Sequence, residues 1–399
     1  MSEVMSVPKL RFKEFDGDWT LTTLNQLSTK IGDGIHATPK YDESGTIPFI
    51  NGNNLVNGRI AINENTKRIS SEEFQKYNQI LSDRTLFLSI NGTIGNLAFY
   101  KNEKVLLGKS VCFINLKNDL DKKFIYLLLQ SPQLTKTLNS ELTGTTIKNL
   151  SLATVRNSEF YCPIEAEQTK IASFLSAVDE KISQLTQKHA LLSQYKQGMM
   201  QKLFSQQIRF KADDGSEFGE WEEKELTDVA EINPKAKKLP ENFIYIDLES
   251  VEKGQLLLQK NIELKDAPSR AQRLLTKGDV LFQMVRPYQQ NNYYFNLNGE
   301  YVASTGYAQI RTKLNSKFIY YALHEKTFLD EVMNRCTGTS YPAINSSDLS
   351  SIEIVIPCLE EQTKIANFLS SIDQKIEVVA QQIEQAKQWK KGLLQQMFV

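Results

Sequence analysis

The chain has 399 residues, enough for two or three domains, and its 47 basic and 47 acidic residues give a formal net charge of zero. Apolar residues make up 41% and charged residues 24% of the chain, which excludes an intrinsically disordered protein. The balanced charge also excludes a strongly basic protein that binds nucleic acid through charge alone.

The predicted elements follow the same order in both halves of the chain. Short apolar runs bounded by Asn-Gly turns predict strands, and helical periodicity follows the strands in each half. In chain order we predict strands at 47–50, 85–90, 97–100 and 110–116, a helix at 122–129, a long helix within 161–205, strands at 243–248, 279–285 and 308–312, a helix at 316–324 and a second long helix within 357–399.

An internal repeat organises the chain. Residues 167–182 and 361–376 align without a gap at an offset of 194 residues, and 12 of the 16 positions are identical. The chain therefore consists of two copies of one plan, each a variable region followed by a helix. Shorter motifs repeat as well, namely Arg-Phe-Lys from residues 11 and 209, Thr-Gly-Thr from residues 143 and 337, and the prolines Pro163 and Pro357.

Each copy ends in a long predicted helix with an apolar stripe. Apolar residues recur at steps of three and four over about three heptads, which is typical of a coiled-coil seam. A helix of about 40 residues is roughly 60 Å long, so it cannot bury its stripe inside a domain of about 150 residues. The two helices should therefore pair with each other. The seam residues expected to pair are Ile171, Leu175, Val178, Ile182 and Leu185 in the first helix, and Ile365, Leu369, Ile372, Ile376 and Val379 in the second.

The repeat and the helices together predict the fold class. We expect an α+β fold in which two α/β domains are separated by two long antiparallel coiled-coil helices, with an internal pseudo-twofold repeat. The expected boundaries are 1–160 for the first variable domain, 161–205 for the central helix, 206–356 for the second variable domain and 357–399 for the C-terminal helix.

His189 occupies a seam position at which the second copy has Ile383. One interpretation is a metal ligand or a pH switch. The other is a single polar residue tolerated in a coiled coil, where it costs stability and helps to fix the register. The sequence favours the second interpretation.

The cysteines and the hydropathy pattern favour a reducing compartment. None of the four cysteines forms a Cys-x-x-Cys pair, so we expect neither a zinc site nor a redox motif. The first 13 residues have no apolar run typical of a signal peptide, and nowhere do 18 apolar residues follow one another. We expect a cytoplasmic protein without a membrane partner.

Catalytic motifs are not evident in the sequence. A P-loop would need an upstream glycine that the Gly108-Lys109-Ser110 segment lacks, and no Gly-x-Gly-x-x-Gly follows a predicted strand. The three histidines make a multi-histidine metal site unexpected, so we expect no catalytic residue, no metal ligand and no cofactor in this chain. A nuclease site made of paired carboxylates stays open, although no spacing points to one.

The variable regions instead contain side chains suited to reading DNA bases. Asn, Gln and Arg can form paired hydrogen bonds with adenine and guanine edges, and Ser, Thr and Tyr bind phosphates. The candidates in the first half are His36, Asn53, Asn54, Asn91, Thr93 and Thr145. The candidates in the second half are Arg270, Arg273, Arg286, Tyr288, Gln289, Gln290, Asn291, Asn292 and Thr339.

Each of these candidates has a simpler interpretation. An Asn-Gly site is more often a hairpin turn than a base contact. The run at 286–292 is equally consistent with base contacts and with a loop. The Thr-Gly-Thr motifs fit a loop against a backbone phosphate and a plain connector equally well.

The charge of the two regions limits DNA binding by this chain alone. Residues 1–160 carry 19 basic and 16 acidic groups, whereas residues 206–358 carry 18 and 22. Because phosphate neutralisation supplies much of the affinity of DNA-binding proteins, binding should be weak. Either the basic groups form local patches, or a basic partner supplies the missing charge.

The repeated motifs resemble those of the specificity subunits of type I restriction-modification systems. The resemblance covers essentially the whole chain and is carried by the Glu-Gln-Thr-Lys-Ile-Ala motifs from residues 167 and 361. The Tyr-Lys and Trp-Lys motifs from residues 195 and 389, the segment 47–54 and the segment 91–95 add to it.

This resemblance implies a function in DNA recognition. It implies two target-recognition domains, each of which reads one half of a split double-stranded DNA sequence, and paired helices that set the unread gap. It further implies that two methyltransferase subunits bind the helices through the seam residues and that restriction and translocation subunits join them. S-adenosylmethionine, ATP and magnesium would then belong to the partners. Residue-level base contacts do not carry over, because these domains diverge too much.

Two other functions fit the sequence less well. A stand-alone enzyme would need nuclease or methylase activity without a partner. A scaffold protein would recruit partners through its long helices and would bind no nucleic acid, so sequence-specific DNA binding by a reconstituted complex would eliminate it.

Overall fold

The computed structural model describes residues 7–77, 79–144 and 148–399. The chain divides into two compact units. The first unit comprises the residues up to Thr186 together with Gln381–Val399, and the second unit comprises Gln187–Ala380. Each long helix therefore contributes one part to each unit.

The first unit is a mixed α and β structure built on a four-stranded antiparallel sheet of order β2-β10-β7-β8. A three-stranded sheet of order β6-β3-β9 and the pairs β1-β11 and β4-β5 complete it. Its elements are β1 (Thr20–Thr23), α1 (Leu24–Leu27), β2 (Ser28–Asp33), β3 (Ile47–Ile50), β4 (Leu55–Val56), β5 (Arg59–Ile60), β6 (Arg68–Ile69), α2 (Ser71–Gln75), β7 (Thr85–Ser89), β8 (Leu97–Phe99), β9 (Leu106–Leu107), β10 (Val111–Leu116), α3 (Lys122–Leu128), α4 (Pro132–Ser140), α5 (Leu152–Asn157), β11 (Glu159–Cys162) and the start of α6 (Glu165–Phe204).

The second unit repeats this plan around an antiparallel sheet of order β13-β22-β19-β20. It also has a second four-stranded sheet of order β17-β14-β21-β18, in which β14 and β21 pair in parallel. Its elements are β12 (Glu222–Glu225), α7 (Leu226–Val229), β13 (Ala230–Ile232), β14 (Asn242–Ile246), β15 (Val251–Glu252), β16 (Gln255–Leu256), β17 (Lys260–Glu263), β18 (Ala271–Leu274), β19 (Val280–Gln283), β20 (Tyr293–Tyr294), β21 (Tyr301–Ser304), β22 (Tyr307–Thr312), α8 (Ser316–Ala322), α9 (Lys326–Arg335), α10 (Ser346–Ser350), β23 (Glu353–Ile356) and the start of α11 (Leu359–Met397).

Alternation along the central strands gives each sheet two buried faces. In β7 of the first unit, Leu86 and Leu88 join the core that contains the helices, whereas Phe87 joins a smaller core on the opposite face. In β19 of the second unit, Phe282 lies in the core that contains the helices, and Leu281 lies in a smaller core on the opposite face. A strand buried on both faces is read as a continuous apolar run, which is why these strands are visible in the sequence.

The long helices α6 and α11 explain the apolar stripe. The N-terminal part of α6 lies in the first unit with the C-terminal part of α11, and the second unit combines the other two parts, as antiparallel helices require. Ile171 and Leu175 in the first unit, like Ile365 and Leu369 in the second, are buried in the cores. The predicted fold class is confirmed, while the four-segment domain boundaries stay a prediction.

An arginine–glutamate pair joins the opening motif of each copy to its long helix. In the first unit, Arg11 donates to both carboxylate oxygens of Glu167 at 2.7 Å. In the second unit, Arg209 donates to Glu361 at 3.1 and 2.7 Å. The glutamates are 1% and 0% exposed, so each carboxylate depends on its arginine.

The glutamine that follows each glutamate connects the long helix to other elements of the same unit by hydrogen bonds. Gln168 donates to the carbonyl of Pro163 at 2.9 Å and accepts from the backbone N–H of Asp121 at 3.0 Å. In the second copy, Gln362 donates to Pro357 at 2.8 Å and accepts from Asn315 at 3.2 Å. Asp121 and Asn315 are themselves the N-caps of α3 and α8.

The second repeated motif provides ion pairs between the helices. Lys390 lies 2.7 Å from Asp179 in the first unit, and Lys196 lies 2.6 Å from Asp373 in the second. Each lysine comes from the Tyr-Lys or Trp-Lys motif, and each aspartate comes from the repeated segments 167–182 and 361–376. The residues that are identical in the two copies therefore hold the scaffold together.

The seam residues lie largely inside the units, and their binding to a methyltransferase stays a prediction. The seam residues expected to bind both the sister helix and a methyltransferase are mostly buried within the units; Ile182 and Ile376 are half-buried. A buried seam can pair helices, but it presents little apolar surface to another protein. His189 is half-buried, and its carbonyl accepts from Ser193 at 3.0 Å. Among residues 7–77, 79–144 and 148–399, no helix is both long and apolar enough to cross a membrane.

Candidate nucleic-acid interface

In the first unit, loops converge at the end of the central sheet where β2 and β7 finish and β10 begins. Ile90, directly after β7, donates its N–H to the carbonyl of Ser110 at 2.9 Å and accepts from Leu150 at 2.8 Å. Gly34, directly after β2, donates to Val111 at 3.0 Å. We call this convergence of loops the loop edge of the first unit.

The segment 51–54 joins the same loop edge. Gly52 donates its N–H to the hydroxyl of Ser110 at 2.9 Å and accepts from the amide of Asn96 at 3.3 Å. A side chain at position 52 would collide with Ser89, since its Cβ would lie 2.9 Å from the Cβ of Ser89. The glycine therefore lets this segment approach the end of β7.

The amides of this segment divide into internal and exposed groups. Asn54 is buried, accepts from the N–H of Asn51 at 2.9 Å and donates to the carbonyl of Ala61 at 3.0 Å. Its amide therefore shapes the loop. Asn53 is exposed and lines a cavity of about 380 Å³ together with Asn51 and other amides.

The remaining first-half candidates lie on neighbouring loops. His36 is exposed, and its Nε2 lies 2.8 Å from the carboxylate of Asp33. Asn91 donates from its side chain to Asn149 at 3.2 Å, and Thr93 is exposed. Thr145 lies outside the described residues. The structure thus places four candidates with polar groups near the surface, and their contact with DNA stays a prediction.

The second unit has an equivalent loop edge at the end of β19. Met284 accepts a hydrogen bond from the N–H of Ile344 at 3.1 Å and donates to Gly306 at 3.0 Å. The N–H of Thr305, next to Gly306, donates to the carbonyl of Arg270 at 2.9 Å. The segment 286–292, Arg270 and the loop at 337–343 therefore meet at one edge.

Buried amide side chains hold the run at 286–292 in place. Gln283, at the end of β19, donates its N–H to the side chain of Asn292 at 2.8 Å and accepts from the N–H of Asn291 at 3.0 Å. It also donates to the side chain of Gln289 at 2.9 Å. Asn292 is 1% exposed, so it supports the loop, whereas Tyr288 is 51% exposed.

Two residues of this run have positive φ angles, which residues other than glycine rarely adopt. Arg286 has φ 53° and Gln290 has φ 52°, and they flank the short 3₁₀ turn Pro287–Gln289. A backbone conformation of this kind costs of order 1 kcal/mol and is found often at functional sites. The hydrogen bonds of Gln283 with Gln289, Asn291 and Asn292 hold the run in this conformation.

The arginines of the second unit fall into two groups. Arg209, Arg311 and Arg335 donate to protein carboxylates at 3.1 Å or less. Within the described part of the chain, the guanidinium groups of Arg270, Arg273 and Arg286 have no hydrogen-bond acceptor. The three arginines selected from the sequence are thus the ones with donors to spare. Arg273 is half-buried, and burial lowers its pKa.

The second unit anchors its loop edge on a half-buried histidine. His324 donates from Nδ1 to the carbonyl of Tyr320 at 2.7 Å, and its Nε2 accepts from the amide of Asn292 at 3.3 Å. Burial is the main cause that lowers the pKa of His324 to about 4. Lys196 lowers this pKa further, whereas Asp373 raises it.

Acid should therefore weaken the second unit. Between pH 6.5 and pH 4 the unfolded chain binds a proton at His324 that the folded unit does not, so stability falls as the pH falls, by up to roughly 3 kcal/mol. The first copy has Gln130 at this position, and Gln130 donates to Tyr126 at 3.1 Å. We expect His324→Gln to keep the fold and to flatten the pH dependence of the unit's unfolding free energy. Denaturant titrations at several pH values measure this dependence. An unfolding free energy that depends on pH as steeply in the variant as in the wild type would contradict this assignment.

One residue at the loop edge escaped the sequence analysis. Tyr341 is 62% exposed, and the guanidinium carbon of Arg286 lies 4.2 Å from the centre of its ring. An exposed aromatic residue in the Ser-Tyr-Pro segment that follows Thr-Gly-Thr was the available signal. Thr339 is exposed in the same loop.

The described residues do not suggest a catalytic centre at either loop edge. Among residues 7–77, 79–144 and 148–399, no group of three or more His, Cys, Asp or Glu side chains is arranged to hold a metal ion. Cys112 is buried, and burial raises the pKa of its thiol, which disfavours the reactive thiolate.

Comparison with known proteins gives a consistent result. The family model for the type I restriction modification DNA specificity domain matches residues 16–194 and 219–388. The MjaVIII specificity subunit of a type I restriction enzyme from Methanocaldococcus jannaschii is 25% identical over 96% of this chain and 94% of its own. The EcoDI specificity subunit from Escherichia coli is 23% identical over 92% of this chain and 84% of its own.

Solved structures share the fold. The S subunit of a type I restriction-modification system from M. genitalium aligns with a TM-score of 0.60 at 19% identity, over 98% of this chain and 99% of its own. A structure that concerns complex assembly and conformational transition of the type I R-M system aligns with a TM-score of 0.57 at 17% identity, over 94% of this chain and 96% of its own.

Proposed function

The chain belongs to the family of the type I restriction modification DNA specificity domain and is a specificity subunit with two such domains, and on this premise we propose that each unit reads one half of a bipartite double-stranded DNA target. The observation that carries the proposal is the loop edge present in both units. Equivalent backbone hydrogen bonds build the two edges, from Gly92 to Lys148 at 3.1 Å and from Arg286 to Pro342 at 2.7 Å.

The two edges carry different side chains, which supports two different half-sites. The edge of the first unit presents the exposed amide of Asn53, and amides suit adenine edges. The edge of the second unit adds Arg270 and Arg286, and arginine suits guanine edges. A shared scaffold with different edges is what a reader of two unlike half-sites needs.

We further propose that the long helices set the gap and bind two methyltransferase subunits through their exposed faces. Tyr195 in the second unit is 51% exposed and Trp389 in the first is 55% exposed, at equivalent positions of the two copies. Aromatic residues are enriched at protein interfaces, and large exposed ones on a helix are suited to binding a partner. Basic partners would also supply the positive charge that this chain lacks.

The remaining subunit roles follow in the same proposal. The chain itself is non-catalytic and acts in the cytoplasm, and restriction and translocation subunits join the methyltransferases on the complex. S-adenosylmethionine, ATP and magnesium are bound by those partners. The family resemblance of the sequence motifs supports this division of work.

The proposal is tested by co-expression with a methyltransferase subunit encoded beside it, in a host free of DNA methylation. Modification-sensitive sequencing of the host DNA should find a split motif with methylated adenine on both strands. A complex that assembles but leaves the DNA unmodified and fails to bind a random-sequence DNA library would favour the scaffold alternative. Cleavage or methylation by the purified chain alone would favour the enzyme alternative.

A further inference from the structure

We propose that Arg286 reads a guanine in the half-site of the second unit and that Tyr341 is the residue that positions it. The inference rests on the proposed function and adds to it one base, one reading residue and one positioning residue.

The backbone conformation at residue 286 indicates that its side chain has a function. Arg286 has a φ of 53°, and at the equivalent position of the first copy the residue is Gly92, with φ 74°. Gly92 donates its backbone N–H to Lys148, and Arg286 donates its own to Pro342, at the equivalent position of the second copy. The turn itself is therefore common to the two units. Glycine adopts this conformation without strain, whereas arginine does not. The second unit thus keeps an arginine where the turn alone favours glycine.

The structure holds Arg286 through its side chain and its backbone. The guanidinium carbon lies 4.2 Å from the centre of the Tyr341 ring, and the backbone N–H of Arg286 donates to the carbonyl of Pro342, the next residue of that loop. The loop is closed by paired backbone hydrogen bonds between Thr337 and Ala343 at 2.9 and 3.0 Å. A stacked guanidinium on a closed loop is pre-organised, so less rotamer freedom is lost on binding.

The donors of this guanidinium remain available. No described protein group accepts a hydrogen bond from the Arg286 side chain, whereas the Arg311 side chain is bound by Asp279 at 2.8 Å. Stacking on Tyr341 uses the face of the guanidinium and leaves its in-plane N–H groups free. Two such N–H groups match the O6 and N7 acceptors of guanine in the major groove.

A phosphate contact is the alternative, and it differs in its consequence. Losing a phosphate contact weakens binding to all sequences and reduces the salt dependence of binding, whereas losing a guanine contact relaxes the sequence requirement at one position. The two can therefore be separated on the same variants.

The experiment uses the complex of this chain with its methyltransferase and begins with the wild-type motif. A modified bipartite motif establishes the proposed function, and the inference then requires a guanine in the half-site that depends on the second unit. Arg286→Gly, which installs the residue of the first copy, should keep the fold and reduce discrimination at that guanine by about tenfold or more. The half-site of the first unit should be unchanged.

The positioning role is tested on Tyr341. Tyr341→Phe keeps the ring, so it should keep the motif, and Tyr341→Ala should relax the same guanine position as Arg286→Gly. Any one of three results would overturn the inference. The second half-site could contain no guanine, the variants could lose binding to all sequences with a smaller salt dependence of binding, or Tyr341→Ala could leave the motif intact. Absence of any wild-type modification would instead count against the proposed function.

Discussion

Replacing Glu361 by alanine should destabilise the second unit by about 3–5 kcal/mol, because it leaves a half-buried charge without its partner. Glu361 accepts two hydrogen bonds from Arg209, and it also accepts one from the indole N–H of Trp221 at 3.1 Å. Arg209 in turn donates to the carbonyl of Gly219 at 2.7 Å, so the carboxylate holds the opening segment of this copy against α11.

Hydrogen exchange at increasing denaturant concentration measures this loss, because it reports the opening of each unit separately. Glu360→Ala is the matched control, since Glu360 is an exposed neighbour on the same helix. We expect the control to change the unfolding free energy by less than about 0.5 kcal/mol. Equal effects of the two substitutions would refute the structural role of the pair.

The double variant Arg209→Met, Glu361→Leu adds a further check. A buried ion pair replaced by apolar side chains of similar volume often costs little, so the double variant should recover most of the lost stability. In the first unit, the indole N–H of Trp19 has no partner in the described structure. Glu167→Ala should therefore cost about 1 kcal/mol less than Glu361→Ala.

Lengthening both helices by one heptad should widen the gap in the DNA target. Repeating residues 180–186 after Thr186 and residues 374–380 after Ala380 places each insert at the boundary between the units and preserves the spacing of the seam. Seven residues add about 10 Å of helix, and B-DNA rises about 3.4 Å per base pair. The gap should therefore grow by up to about three base pairs.

The sequence of the methylated motif measures the gap directly. Replacing residues 180–186 by residues 374–380 without any insertion is the control, because it changes several side chains of α6, including that of the seam residue Leu185, but not the length of the helix. The control should keep the wild-type gap. A lengthened complex that methylates the wild-type motif would rule out the helices as the element that sets the spacing.

The scaffold could be predicted from the sequence because its signals are local or repeated. The runs at 85–90 and 122–129 appear as β7 and α3, since continuous apolar strands and capped amphipathic helices leave clear patterns. The sheet that contains β14 and β21 was not predicted. Its parallel pairing joins segments that are distant in sequence, and no local pattern encodes such a pairing.

The candidate site could be predicted only in part. Arg270, Arg273 and Arg286 were expected to bind DNA, and that expectation stays a prediction. Within the described residues none of the three guanidinium groups has a hydrogen-bond acceptor. Asn54 and Asn292 were expected to face DNA, yet both are buried and satisfy the backbone of their own loops. Asparagine serves both purposes, and its sequence neighbours do not distinguish them. Tyr341 was missed because its partner Arg286 is distant in sequence.

The repeated Glu-Gln motif shows how a correct pattern can conceal its cause. The sequence indicated a helix, and the structure adds that Glu167 and Gln168 hold other parts of the first unit in place. The identity of the two copies is therefore explained by contacts with distant segments as well as by helix pairing.

The composition of the first unit has a consequence for the order of folding during translation. Leu393, Leu394, Met397 and Phe398 fill the core that also contains Trp19 and Phe124, and the N–H of Leu10 donates to the carbonyl of Gln396 at 2.9 Å. The ribosome makes every residue of the second unit before it makes these four core side chains. The half of the protein that is synthesised first is consequently the half that completes its core last, which reverses the usual N-terminal-first sequence of domain folding.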